Sequence, residues 1–171
     1  MNKLRNTATL TTAAMLLALA AILGMVKIPI NSFVEIRFGS LPISVAGNLF
    51  GPAVAAVIGG LADIIQFIVK PTGPYFPGFT ISGVVSGIIF GFFFYKKVMT
   101  WQRILVAEIV HTIIVGLVMN TYWLMLLYGN KTFMAILMSR LVKELVMIPM
   151  LTVMMYAITQ SVERIRAKVH A

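Results

Sequence analysis

Inside stretches apolar enough to lie in a membrane, this chain carries a few side chains suited to hydrogen-bonding and ionic chemistry: Asp63 and Gln66, Asn120 and Trp123, then Arg140, Lys143 and Glu144. A charged side chain at mid-membrane costs about 2.5–3.5 kcal/mol on insertion scales, so such groups should face the protein interior or a cavity. Asp63 stands seven residues from Lys70, Asn120 seven from Leu127 and Arg140 seven from Phe133. Counted from the helix ends, all three lie roughly 10 Å deep. Helical spacing then groups Asp63 with Gln66, Phe67 and Lys70, Asn120 with Trp123, and Arg140 with Lys143 and Glu144. Beside them runs Pro71-Thr72-Gly73-Pro74-Tyr75-Phe76-Pro77-Gly78, a rigid loop with two aromatic rings. Carboxylate and amide groups pair with the edge of a flat, amide-rich heterocycle, while Trp123, Tyr75 and Phe76 could cover its faces. The competing reading is a buried network in which Asp63, Asn120 and Arg140 hold the bundle together. Arg140 and Glu144, at i and i+4, could also pair on their own helix and leave Lys143 to reach the cavity or the membrane surface.

Other motifs carry less. Glu108-x-x-His111 has the spacing of a carboxylate-bridged metal bundle, but the chain has no second copy of it. Core packing, or pairing with the cytoplasmic surface, is the expectation for both residues, and no metal site is expected. Gly129-Asn130-Lys131-Thr132 echoes the end of a phosphate loop without its first glycine. The Asn-x-Thr sequon within it is read as chance. His111 and His170 are the only histidines, and neither has a nucleophile and base at catalytic spacing. The chain therefore reads as a non-enzyme with no cofactor of its own.

Of the 171 residues, 60% are hydrophobic and 11% charged. The apolar residues fall in runs near the roughly 20 needed to cross a bilayer, and they lack the alternation of barrel strands. The first run follows Lys3 and Arg5 as in a signal peptide, yet it ends without a small-x-small cleavage pattern and is kept as a span. Expected helices cover 7–26, 40–50, 52–69, 79–95, 103–127 and 133–160, in one all-α membrane domain spanning 1–171. The second is short because Gly51-Pro52 interrupts a stretch that would otherwise overrun the hydrocarbon core. A short second helix leaves volume at one face, which predicts a cavity there, with the loop of residues 27–40 long enough to fold over it.

The net charge of +9 arises from basic residues at the ends of the runs, not from a nucleic-acid stripe. With both termini cytoplasmic, Lys3, Arg5, Lys96, Lys97, Arg103, Arg164, Arg166 and Lys168 lie inside, against Lys27, Arg37, Lys70 and Lys131 outside. The first helix and the Gly-Pro break favour this arrangement over five spans. Ala14 and Ala18, and likewise Gly83, Gly87 and Gly91, form small-residue stripes suited to close helix approach, either internal or with a partner chain.

Gly39-Ser40-Leu41-Pro42-Ile43 leading to Gly51-Pro52, Asp63, the run from Pro71 to Thr80, and Asn120-Thr121-Tyr122-Trp123-Leu124 together resemble the folate-specific S component of energy-coupling factor (ECF) vitamin transporters. The likeness runs across most of the chain. It implies a high-affinity vitamin-capture subunit of the cell membrane, with folate bound from outside. A shared transmembrane coupling protein and two ATPase subunits would complete the importer. It implies also that Ala14 and Ala18 meet the coupling protein and that the loops after the first and third helices gate the site. Folate would engage Asp63 or Asn120 at its pterin edge and Arg140 at a carbonyl or carboxylate, with Arg37, Lys70 and Lys131 drawing in its tail. Another B vitamin, a pterin-like heterocycle, or a stand-alone secondary transporter remain as alternatives. A transporter of that last kind should show an internal repeat or a polar stripe through the whole membrane, and the sequence shows neither.

Overall fold

The structure is a computed structural model that describes residues 7–31, 34–71, 74–128 and 133–169. Its elements are α1 (Thr7–Met25), β1 (Lys27–Asn31), β2 (Val34–Arg37), α2 (Ser40–Phe50), α3 (Pro52–Val69), α4 (Pro77–Phe94), α5 (Trp101–His111), a π-helical segment (Thr112–Met119), α6 (Asn120–Tyr128) and α7 (Phe133–Val169). Five helical stretches have the length and apolarity to cross a membrane, the fifth-span rod of α5, the π segment and α6 counting as one. With the shorter apolar α2 they make the six-helix bundle expected from sequence.

Three features differ from that expectation. The connection after α1 is a two-stranded antiparallel ribbon, with Ile28 opposite Ile36 and a register shift between Pro29 and Asn31. Its alternation is too short to register as strand in sequence, and Pro29, which has no N–H to give, sits where only a ribbon edge accepts it. β2 packs against both α7 and α1, so the ribbon reaches across one end of the bundle. α4 begins at Pro77, ahead of the expected 79, because proline suits the first helical turn. α7 runs on to Val169, since the polar residues after Gln160 are good helix formers that need no bilayer.

Gly51 makes the break between α2 and α3 possible. Its φ of 92° lies where a side chain is strained, its N–H closes α2 onto Gly47 O at 3.1 Å, and its carbonyl accepts from Ala55 at 3.1 Å. One residue thus ends one helix and starts the next. Residues 41–48 of α2 are all buried, so this short helix is enclosed by protein and does not face lipid.

α3 and α4 pack backbone to backbone. A side-chain carbon on Gly83 would run into Gly59, one on Gly87 into Ala55, and one on Gly91 into Pro52. The glycine stripe of α4 is therefore spent on internal packing, where close approach replaces the missing hydrophobic drive between helices in lipid. Ala14 and Ala18 differ: they lie on the exposed side of α1, whose buried side is Ala13, Ala20, Ala21 and Gly24. At the Lys96–Lys97 end of the bundle, Phe90 and Phe94 stack at 5.7 Å among Ile104, Ala107, Met147, Leu151 and Met155 to form an apolar core. The ribbon end is left more open.

Gly87→Val should lower the melting temperature of the detergent-purified protein, by an amount equivalent to about 1–3 kcal/mol of overpacking. Ala14→Leu, on the exposed side of α1, should leave it within error.

Candidate ligand cavity

A cavity of about 320 Å³ opens at the ribbon end and is lined by every helix from α1 to α7. This size lies within the range of small-molecule sites. Asp63, Gln66, Phe67 and Lys70 present one face of α3 to it, as their spacing requires. Asn120, Leu124 and Leu127 do so from α6, and Arg140, Lys143 and Glu144 from α7. Asp63, Asn120 and Arg140 thus share one chamber. Ser40 and Ile43, at the start of α2, lie on the same wall, so the short helix does border the open volume.

Hydrogen bonding fixes the mouth. Thr80 Oγ1 lies 2.8 Å from Asp63 Oδ2 and 2.9 Å from Tyr75 Oη. The threonine has one proton and the carboxylate can only accept, so Thr80 donates to Asp63 and Tyr75 donates to Thr80. That relay ties the loop to α3 and α4. The Tyr75 ring also packs on Phe67, with centroids 5.0 Å apart. Phe76 turns the other way, onto Phe79 at 6.0 Å and Trp123 at 5.6 Å. Trp123 itself stands one layer behind the lining: its Nε1 donates to Ser82 Oγ at 3.1 Å, and its ring backs Phe76. Gln66 lies against the bare backbone of Gly24, where any side chain on α1 would collide with it.

On α7, Lys143 Nζ donates to Glu144 Oε1 at 2.9 Å, and Arg140 Nη2 stands 4.0 Å from the same oxygen. Two cations of α7 therefore approach one carboxylate. Arg140 and Glu144 are both 7% exposed, so little water screens that charge. Asn120 Oδ1 is buried with no hydrogen-bond partner among the described residues. The side chains of Arg37 and Lys131 lie outside the described residues.

The floor of the cavity could not be read from the sequence. Glu108 is buried and His111 half-buried, and both line the cavity together with Ser82 and Ser86. The cause is the π segment. Residues 12 apart on an α-helix fall about 120° apart, whereas eight π-helical residues at about 82° each bring Glu108 and Asn120 within roughly 25° of one face. No local residue pattern announces that widening. Ser82 and Ser86, at i and i+4, share a face of α4, with Gly83 and Gly87 beside them.

A membrane bundle whose cavity is lined by charged, amide and apolar side chains, with aromatic residues at its mouth, defines a small-molecule binding protein of the bilayer. The family profile described as "ECF transporter, substrate-specific component" matches residues 8–159, which takes in all six helices. A protein named folate transporter FolT from Clostridium novyi (strain NT) is 39% identical over 132 residues, covering 77% of this chain and 76% of that relative. A FolT of Leuconostoc mesenteroides is 28% identical over 141 residues, covering 80% and 76%. Among solved structures, one titled as FolT bound with folic acid superposes with a TM-score of 0.84 at 29% identity, over 91% of this chain and 95% of that one. The chain belongs to the substrate-specific components of ECF transporters.

Thr80→Val should break the Tyr75–Thr80–Asp63 relay. A hydrogen bond contributes about 0.5–1.5 kcal/mol, so the amides of Tyr75 and Phe76 should exchange with deuterium up to roughly tenfold faster, while those of α2 keep their rates.

Proposed function

We propose that this cavity captures folate from outside the cell and that the chain is the vitamin-binding subunit of an ECF-type importer. The observation that carries this reading is the joining of Asp63, Asn120 and Arg140 in one chamber under an aromatic loop, in a fold that matches the folate-bound FolT. Asp63, Gln66 and Asn120 supply hydrogen-bonding groups at mid-depth, and Tyr75 and Phe76 cover the ligand at the mouth. Trp123 supports Phe76 from behind. Arg140 and Lys143 balance the anionic tail, with Lys70 at the rim adding to the attraction.

The ribbon end faces outward in this reading, and both termini are cytoplasmic. ATP hydrolysis belongs to two partner ATPases, linked through a transmembrane coupling protein that docks on the exposed side of α1 at Ala14 and Ala18. Small residues there let a partner helix approach closely.

Titration of purified protein with folate should give saturable binding, and ligand at 100 times its dissociation constant should stabilise the fold by about 2.7 kcal/mol. Another B vitamin binding in place of folate would reassign the substrate. Asp63→Asn or Arg140→Ala should weaken binding at least about tenfold, in line with the 1.5–3 kcal/mol of charged hydrogen bonds, and do so more than they reduce folded yield. Equal loss of folded protein would instead make the polar residues scaffold. Liposomes holding this chain alone should accumulate no folate, whereas adding the coupling protein, the ATPases and ATP should start uptake. Accumulation by the chain alone would identify a self-sufficient transporter.

A further inference from the structure

The floor of the cavity holds a cluster that the folate reading above does not use. Ser86 Oγ donates its one proton to Ser82 O at 2.8 Å, so in its 3.0 Å contact with His111 Nε2 the serine must accept. The ring proton of His111 therefore sits on Nε2. Stacking on Phe90, with centroids 4.7 Å apart, holds the imidazole plane, and Nδ1 faces Glu108 with its Oε1 3.8 Å away, beyond hydrogen-bond range. Glu108 is 1% exposed. Its Oε2, like His111 Nδ1, has no hydrogen-bond partner among the described residues. The other two carboxylates of the cavity are served by protein donors, Asp63 by Thr80 and Glu144 by Lys143. Buried acceptors without donors are rare and costly, so this floor is built to receive donors from whatever fills the cavity, water or ligand.

We infer that Glu108, positioned beside His111, is the specificity-determining acceptor for the heterocycle, and that it recognises a ring N–H next to an exocyclic amino group. Such an edge, found on a 2-amino-4-oxopteridine, carries three N–H protons. The floor offers the carboxylate of Glu108, with Nδ1 of His111 beside it. The inference rests on the folate reading and adds an orientation: the ring goes in first. The cations of α7 gather on Glu144, whose carboxylate lies beside Gly116 further along the same rod, so an elongated ligand has its donor end at the floor and its anionic end toward those cations.

The test is binding of two probes, 2-amino-4-oxopteridine and 2,4-dioxopteridine, to the wild-type protein, Glu108→Gln and Asp63→Asn. The dioxo probe replaces the amino donor by an acceptor. Wild type should prefer the amino probe by about 100-fold or more, because a site built for a hydrogen bond rejects the ligand that lacks it. Glu108→Gln should bring the preference below about fivefold, while Asp63→Asn should keep the ratio. Equal binding of both probes by the wild-type protein overturns the inference even if Glu108→Gln does not fold. A folded Glu108→Gln that keeps the wild-type preference overturns it as well. Wild-type protein that binds neither folate nor the amino probe removes the folate reading, a result distinct from binding without discrimination.

Discussion

Every polar side chain within the spans must escape hydrocarbon, and this constraint organises the molecule. The three carboxylates Asp63, Glu108 and Glu144 and the two cations Arg140 and Lys143 all border one cavity, and the outward faces of the helices are left to residues such as Ile22, Val57, Ile88 and Leu145. Within the cavity the charges are divided between walls. Dispersed singly over the helices, each would carry its own desolvation cost; gathered, they share donors and acceptors.

Two backbone devices allow that gathering. The α3–α4 glycine seam draws two helices together until their backbones touch, which concentrates packing on one side of the bundle and leaves room on the other. The π segment then rotates the inner half of the fifth span so that Glu108, His111 and Asn120 line the same channel. Such segments are rare and appear mostly at functional sites. Gly116, inside the segment, admits the Glu144 carboxylate: a side-chain carbon there would lie 3.1 Å from Oε1. A larger residue at that point would press on the carboxylate that both Arg140 and Lys143 approach.

Much of the architecture was legible because bilayer physics reads directly onto composition. Span number, the short second helix and the Gly51-Pro52 break follow from the length of apolar runs and from the conformational limits of two residues. The convergence of Asp63, Asn120 and Arg140 followed from depth alone. Trp123 shows where depth stops being sufficient: it shares a face with Asn120, yet Phe76 intervenes between its ring and the cavity. That Ser82, Ser86, Glu108 and His111 meet at the cavity was not legible, because their meeting depends on how α4 and α5 are rotated, and rotation is set by packing.

The sequence by itself determined that this chain lives in a membrane, how many times it crosses, and which costly side chains must be sheltered together. These outcomes depend on transfer free energies and helix rise, which are properties of residues and of spacing along one axis. Only the tertiary structure decided which rings face the ligand space, that the glycine stripe of α4 is internal while the alanine stripe of α1 is exposed, and that the cavity extends down to Glu108. Those outcomes depend on helix rotation and on a local change of helical pitch, both fixed by contacts between residues far apart in the chain.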